Sequence, residues 1–238
     1  MTKLIRLFAF ISALLAACGA TPPGDTSGEA YNPAIDPANF TTTIDNPFFP
    51  LIPGTKFTFE GETDEGFERI EVLVTQETRE VMGVSTVVVR DTVWIDGAQA
   101  EDTYDWYAQD LDGNVWYFGE QVKDYANGQV VSSAGSWEAG VDGALPGVVM
   151  WAEPQVGQEY QQEYYAGEAE DMGKVIAVGQ SITVPFGSFS DCIVTQDWTP
   201  LEPGYMEQKT YCSGVGTVKN EYVQGGSGSQ ELIAIETE

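Results

Sequence analysis

The chain has 238 residues and a formal net charge of −27, from 37 Asp and Glu against 10 Lys and Arg. This charge excludes the basic surface of a nucleic-acid-binding protein, and the lack of any histidine excludes Ser-His-Asp and Cys-His catalysis. The 6 Trp, 11 Tyr and 11 Phe residues are enough to build a folded core, so the chain is not a disordered acidic tail.

Residues 1–17 have the features of an export signal. Two basic residues precede an apolar run at residues 7–15, and this run is shorter than the about 20 residues that span a bilayer. The sequence that ends at Cys18 (Ala-Ala-Cys) resembles the lipobox of bacterial lipoproteins. The resemblance implies cleavage before Cys18 and its modification by fatty acyl chains such as palmitate, which would anchor the protein to a membrane. Gly19, in place of the Asp that retains some lipoproteins at the inner membrane, favours the outer membrane in a cell that has one.

The residues after Cys18 differ in composition from the rest of the chain. Residues 18–45 are rich in Pro, Gly, Ser and Thr, which predicts the lipid attachment site followed by a flexible tether. The folded part of the chain is expected to begin near Asn46, and residues 46–238 have a length that suits a single β domain.

Two cysteines remain once Cys18 is assigned to lipidation. An exported protein lies in an oxidising compartment, so Cys192 and Cys212 are expected to form a disulfide. A zinc site is disfavoured because the chain has no histidine and no Cys-x-x-Cys spacing.

Short runs of alternating apolar and polar residues predict β-strands from residue 56 onwards. Residues 56–60 place Phe57 and Phe59 on one face of a strand. In residues 67–75, the face made of Glu68, Ile70, Val72 and Val74 is the more apolar one and is predicted to point to the core. Further strands are predicted at residues 85–95, 101–109, 159–165, 173–184, 190–198, 205–212, 215–223 and 229–236.

Turn residues connect these runs. Asp96-Gly97, Asp112-Gly113 and Asn127-Gly128 are typical of tight hairpin turns. No stretch combines a helical period with capping residues, so the predicted fold class is all-β. We expect a strongly curved antiparallel sheet that forms a half-open barrel, with a long Gly/Trp-rich loop, because a sheet of so many strands tends to curl.

The region after residue 180 contains a recognisable pattern. Residues 182–189 (ITVPFGSF) are followed by residues 191–194 (DCIV) and later by residues 211–218 (YCSGVGTV). This pattern resembles the C-terminal part of secreted bacterial β proteins that mostly belong to domains of unknown function. The resemblance implies a curved antiparallel sheet similar to the half-barrels of lipoprotein carriers, and it supplies no catalytic residue.

Three acidic segments are candidates for a functional site. In the first, Asp110, Asp112 and Asn114 surround Gly113, with Glu120 further on. Alternating oxygen donors resemble part of a calcium loop, but the spacing of an EF-hand is not met. A hairpin turn, in which Asp and Asn favour the required backbone geometry, is the favoured interpretation.

The second candidate is the Gly/Trp-rich loop at residues 134–153. Trp137 and Trp151 could stack on a sugar ring or a cationic group, and Glu138 and Asp142 could form a carboxylate pair of the glycosidase type. Both pairs could instead belong to a lid that covers the open end of the barrel.

The third candidate is the segment at residues 158–171. Alternation places Tyr160, Gln162 and Tyr164 on one face, and five acids lie nearby: Glu159, Glu163, Glu168, Glu170 and Asp171. A solvated strand and turn is the favoured interpretation, and a metal or amine site is the alternative.

Together these features predict a lipid-anchored cell-envelope protein without catalytic activity. Its expected partners are the membrane, through the lipid, and a small-molecule, lipidic or glycan ligand or an envelope protein. A carboxylate-based hydrolase or lyase acting on polysaccharide is one alternative, and a calcium-stabilised structural protein is another. No cofactor is expected, with calcium as the one alternative.

Overall fold

The computed structural model describes residues 31–237 of the chain. Within this range, a short 3-10 helix precedes the strands and no helix is long and apolar enough to cross a membrane. The helix is Pro37–Asn39, and the strands are β1 (Phe40–Thr41), β2 (Thr55–Thr63), β3 (Gly66–Val81), β4 (Val84–Ile95), β5 (Ala98–Asp110), β6 (Val115–Gln121), β7 (Asp124–Ala126), β8 (Gln129–Ser132), β9 (Trp137–Glu138), β10 (Leu145–Met150), β11 (Glu159–Gln161), β12 (Glu163–Tyr164), β13 (Met172–Val184), β14 (Gly187–Trp198), β15 (Met206–Cys212), β16 (Gly216–Gln224) and β17 (Ser229–Thr237).

The strands form one antiparallel sheet that curves into a nearly closed barrel with one unsealed seam. Strands β2 to β6 pair in chain order, and so do strands β13 to β17. Two long-range pairings join these halves: β17 with β2, and β6 with β10. The short strands β11 and β12 then link β10 to β13. The predicted fold class, an all-β half-open barrel, is confirmed.

Alternation along the strands determines which residues face the interior of the barrel. Phe57 of β2 pairs with Val72 of β3, and Phe59 pairs with Ile70. Phe57, Phe59, Ile70 and Val74 are buried in one hydrophobic cluster. The inward faces predicted for these two strands are therefore confirmed.

The tight turns predicted between the strands are present in the structure. Asp96-Gly97 and Asn127-Gly128 each have positive φ at both residues, as a type I′ turn requires. Gly113 lies in the connection from β5 to β6, also at positive φ. Each turn joins two paired antiparallel strands.

A second hydrophobic cluster, called here the outer cluster, includes the outer face of β4 to β6 and also Tyr117, which lines the cavity. Val88 and Trp106 belong to this outer cluster, whereas their chain neighbours Val89 and Tyr107 point to the interior. Phe40 covers the outer cluster, with its ring centroid 5.4 Å from that of Phe118. The sheet is thus packed on both faces in this part of the barrel.

The predicted tether differs from the structure in its extent. Residues 31–45 lie against the barrel: Phe40 packs on the outer cluster, and Ile44 is buried in the inner one. The Tyr31 hydroxyl donates a hydrogen bond to the Pro146 carbonyl at 2.8 Å. Apolar and aromatic side chains, although widely spaced among polar residues, bury enough surface to order this segment. Residues 1–30, with the predicted signal peptide and Cys18, lie outside the described residues.

The predicted disulfide is confirmed. Cys192 of β14 and Cys212 of β15 are direct cross-strand partners, and their sulfur atoms are bonded. Both side chains are fully buried in the inner cluster. The bond therefore joins two strands at the centre of the C-terminal half of the sheet.

Replacing both cysteines (Cys192→Ala with Cys212→Ala) is expected to destabilise the protein. The bond has a sequence separation of 20, and closing a loop of that size restricts the unfolded chain by about 3 kcal/mol. Urea denaturation measures the loss. Dithiothreitol should cause a comparable loss in the unsubstituted protein and none in the double variant; equal stability of the oxidised and reduced proteins would contradict the prediction.

Candidate functional site

The interior of the barrel contains a cavity of about 240 Å³. Protein interiors are normally close-packed, and a single water needs only about 10–15 Å³. The residues that line the cavity come from β2 to β6, from β10, β12, β15 and β16, and from the connections between them. A space of this size inside the barrel is a candidate ligand site.

One side of the cavity is hydrophobic. We call it the apolar wall, and it consists of Phe49, Leu51, Phe57, Phe59, Ile70 and Val72. The β2 and β3 members face inward through strand alternation, whereas Phe49 and Leu51 lie on the segment before β2. That segment is held in place by Asn46, whose side-chain amide donates to the carbonyls of Gly113 and Trp151 at 2.9 and 3.1 Å. The apolar wall is thus fixed by both the sheet and a bonded loop.

The other side carries carboxyl groups. We call it the acidic wall, and it consists of Asp91, Glu101, Asp105, Glu120, Glu163 and Asp171. Strand pairing brings several of them together: Asp105 of β5 lies directly across from Glu120 of β6. On β5, Glu101 and Asp105 are separated by Thr103, which also faces the cavity. Alternation therefore places a run of polar residues inside the barrel.

Few hydrogen bonds satisfy the acidic wall. The Tyr117 hydroxyl donates to Asp105 Oδ1 at 2.6 Å, and the Thr103 hydroxyl donates to Glu101 Oε1 at 2.6 Å. Trp137 and Asp171 lie close to Glu163, but Trp137 Nε1 completes no hydrogen bond. The wall has many more acceptor atoms than donors.

Lys209 is the one basic residue that lines the cavity, among the residues described. Its Nζ lies 3.2 Å from Asp197 Oδ2 and 3.0 Å from Glu207 Oε1. Burial opposes its charge, but the fields of Glu207 and Asp197 outweigh burial and raise the Lys209 pKa well above its ordinary value. Lys209 is paired with two acids outside the wall, and its field also opposes the rise in pKa that burial causes at Asp91, Glu163 and Asp171, so one cation is shared among several acids.

Enclosure in the barrel changes the protonation of the acidic wall. Burial raises the pKa of Asp105 to about 7, although the hydrogen bond from Tyr117 opposes this change. Burial also raises the Glu163 pKa to about 7. For Asp91, Glu120 and Asp171, burial and then the nearby carboxylates raise the pKa well above its ordinary value. Near neutral pH the wall therefore holds protons that exposed carboxylates would have lost.

The residues predicted as ligand contacts lie outside the cavity lining. Trp137 is 4% exposed in the outer cluster, with its ring edge-to-face against Tyr117 at 5.4 Å. Glu138 forms an ion pair with Arg79 at 2.6 Å. Asp142 is exposed in a turn with φ 50°.

Trp151 packs edge-to-face against Tyr160, with ring centroids 5.9 Å apart. The structure therefore does not bring Glu138 and Asp142 together as a facing carboxylate pair. Neither tryptophan lines the cavity, but Trp137 contacts Tyr117 and Glu163, which do.

The segment around Asp110 is a hairpin connection. The Asp110 carboxylate accepts hydrogen bonds from the backbone of Asp112 and Asn114 at 3.0 and 2.8 Å, and from the side chains of Asn114 and Trp116 at 2.9 and 2.8 Å. Both oxygens of Asp110 are thus committed to the turn. Between residues 31 and 237, no group of three or more potential ligand residues is arranged to hold a metal ion.

The third acidic segment does reach the cavity. Glu159 and Glu168 are exposed, as a solvated strand and turn predicts, but Gln162, Glu163 and Asp171 line the cavity. The strand is interrupted at Gln162, between β11 and β12. This break turns Glu163, together with Gln162, towards the interior.

Sequence reasoning missed the acids of β4 and β5. Asp91 lies among Val87, Val89 and Val93 on one face of a predicted strand, and an acid on an otherwise apolar face is a signal for a buried carboxyl group. Glu101 and Asp105 share a face with Tyr107, an equally detectable pattern.

Comparisons with known proteins identify no family. No protein-family model matches the chain, and no curated protein matches it. Among solved structures, a protein of Bacteroides fragilis, described as exported and as having a YmcC-like fold, is 16% identical with a TM-score of 0.46, over 80% of this chain and 99% of that chain. A protein of Parabacteroides distasonis, described as a lipoprotein, is 13% identical with a TM-score of 0.43, over 79% of this chain and 98% of that chain. No residue role is transferred at these similarities.

The raised pKa values predict how stability depends on pH. The folded protein binds more protons than the unfolded chain between pH 4 and the pKa of about 7 of Asp105 and Glu163. Its free energy of unfolding should therefore fall as pH rises through this window, by on the order of 1 kcal/mol per pH unit for each such group. The variant with Asp105→Asn and Glu163→Gln should show a flatter profile in urea denaturation, and Asp142→Asn should not. Equal slopes in the unsubstituted protein, the double variant and Asp142→Asn would refute the assignment of the pH dependence to Asp105 and Glu163.

Lys209 is expected to be essential for stability. Lys209→Met leaves Asp197 and Glu207 without their shared cation, and breaking a buried ion pair costs about 3–5 kcal/mol. Lys219→Met is the matched control, because Lys219 pairs with the exposed Glu221 at 2.9 Å and such a surface pair contributes at most about 1 kcal/mol. Thermal and urea denaturation of both variants provide the comparison, and similar losses would show that Lys209 has no special role.

Proposed function

We propose that the protein is a lipid-anchored protein of the cell envelope that binds a small, partly apolar ligand inside its barrel and catalyses no reaction. The observation that carries this proposal is the cavity of about 240 Å³ between an apolar and an acidic wall. A barrel of purely structural function would gain stability by filling that space with side chains.

The two walls give the cavity the composition of a ligand site. Small-molecule sites combine a largely hydrophobic lining with a few polar groups that fix orientation. Here Phe57, Phe59 and Ile70 supply the hydrophobic surface. Carboxyl groups and Asn220 supply the polar contacts on the other side.

The envelope location rests on the sequence. The signal-like residues 1–17 and Cys18 support export and lipidation. Residues 19–30 separate Cys18 from Tyr31, the first described residue, which is hydrogen-bonded to the barrel, and a chain of that length reaches at most about 45 Å. The cavity would therefore operate close to the membrane surface.

The carboxylate-hydrolase alternative was based on residues 137–153. Glu138 is bound to Arg79, and Asp142 lies on an exposed turn. Neither faces the cavity, so the geometry supports ligand binding better than hydrolysis at this loop.

The full-length protein, purified from its membrane in mild detergent, should carry or accept a small molecule. Native mass spectrometry and solvent extraction detect a bound compound, and displacement of the apolar fluorophore N-phenyl-1-naphthylamine measures binding. Val72→Phe, which fills the cavity from the apolar wall, should reduce fluorophore binding at least tenfold. Val223→Phe, at an exposed position, serves as the control. Absence of any extracted compound, together with fluorophore binding that Val72→Phe leaves unchanged, would argue against the proposal.

A further inference from the structure

We infer that the ligand is an organic ammonium compound with an apolar tail, held with its cationic group against the acidic wall and its tail against the apolar wall. This inference rests on the proposed function, that the cavity binds a ligand, and adds the chemical class of that ligand. It follows from the charge of the cavity, from its unpaired acceptor atoms and from the position of the apolar wall.

The first argument is that, between residues 31 and 237, Lys209 is the one basic residue that reaches the acidic wall. The part of the chain between residues 31 and 237 contains eight Lys and Arg residues, and seven of them form ion pairs. The eighth, Lys123, lies over the ring of Tyr104, with Nζ 5.8 Å from the centroid. Lys209 enters the cavity but is held by Asp197 and Glu207. A further cation beside Lys209 would therefore come from outside the described chain.

The second argument is the chemistry of the unpaired atoms. Two buried oxygens in the cavity lining, Asp91 Oδ1 and Asn220 Oδ1, have no hydrogen-bond partner, whereas Glu163 and Asp171 hydrogen-bond to each other. Asn220 is 7% exposed, so bulk water does not satisfy its amide oxygen. Asn220 Oδ1 is an acceptor at every pH, and Asp91 Oδ1 is one when Asp91 is ionised; an unsatisfied buried acceptor costs about 1–3 kcal/mol. The missing partner is therefore a donor, and an ammonium group supplies up to three N–H donors and a positive charge.

The third argument distinguishes an organic cation from a metal ion. The described residues contain no cluster arranged to coordinate a metal, and a bare ion would leave the apolar wall unoccupied. Tyr107 and Tyr117, whose rings stack on each other at 4.9 Å, also line the cavity. An acidic lining beside an apolar lining suits an ammonium group followed by a hydrocarbon chain.

Three probes of equal chain length test this inference on the full-length protein. n-Octylammonium, 1-octanol and octanoate are titrated at pH 7.5 below their aggregation concentrations, and binding is measured by calorimetry and by the shift in melting temperature. n-Octylammonium should bind at least tenfold more tightly than 1-octanol, and octanoate should not bind. Equal affinity for n-octylammonium and 1-octanol, or tighter binding of octanoate, would overturn the inference.

Variants locate the charge that is recognised. Glu163→Gln and Asp105→Asn remove a carboxyl group while keeping its shape, and each should weaken n-octylammonium binding at least tenfold without affecting 1-octanol. Glu168→Gln, at an exposed position of the same acidic segment, should leave both affinities unchanged.

The outcomes separate the two proposals. If 1-octanol binds but the carboxyl variants do not alter n-octylammonium binding, the cavity is a ligand site and the ammonium inference is wrong. If none of the three probes binds, and solvent extraction also yields no compound, the proposed function fails as well.

Discussion

The structure depends on one geometric constraint: a sheet curved into a nearly closed ring has a single inner face, and each strand turns alternate residues towards it. Any acid in an inward position is enclosed, whether or not it has a partner. Asp91 lies between the inward Val89 and Val93 of β4, where a hydrophobic residue would be more stable. A charged carboxylate in such a place costs several kcal/mol, so the acidic wall opposes folding unless its members keep their protons or meet a cation.

The cost of burying a carboxyl group is offset in a different way at each buried acid. Lys209 balances Asp197 and Glu207 through two ion pairs. Glu68, buried near the start of β3, instead accepts hydrogen bonds from Gln230 and Thr63, and burial raises its pKa to about 7. The carboxyl groups of the acidic wall have few hydrogen-bond donors and no lysine of their own. Polar groups left unpaired inside a protein are characteristic of functional sites, and Asp91 and Asn220 place such groups in the cavity lining.

The sequence predicted features that local patterns determine. Period-two alternation identified the inward faces of β2 and β3, and glycine-containing turns identified the hairpins. The packing of residues 31–45 depends on Phe40 and Ile44 meeting surfaces that distant strands create, so composition alone suggested a tether. The site residues were difficult to predict from the sequence for the same reason. In the sequence, Glu163 and Asp171 resemble a solvated acidic patch, and it is the pairing of β10 with β12 and of β11 with β13 that brings them to the cavity. The tryptophans of residues 134–153 suggested a ligand, yet Trp137 packs in the outer cluster.

The charge of the whole protein and the charge of its cavity act in the same direction. A net charge of −27 attracts cations to the surface, although salt limits this field to about 8 Å at physiological ionic strength. The surface field therefore concentrates any small cation and cannot distinguish one from another. Discrimination between ligands requires the cavity. A small inorganic cation would leave the apolar wall unoccupied, and an anion would be repelled by the carboxylate groups. An ammonium group with a hydrocarbon tail satisfies both walls, so the outer charge would govern the rate of capture and the two walls would govern which ligand is retained.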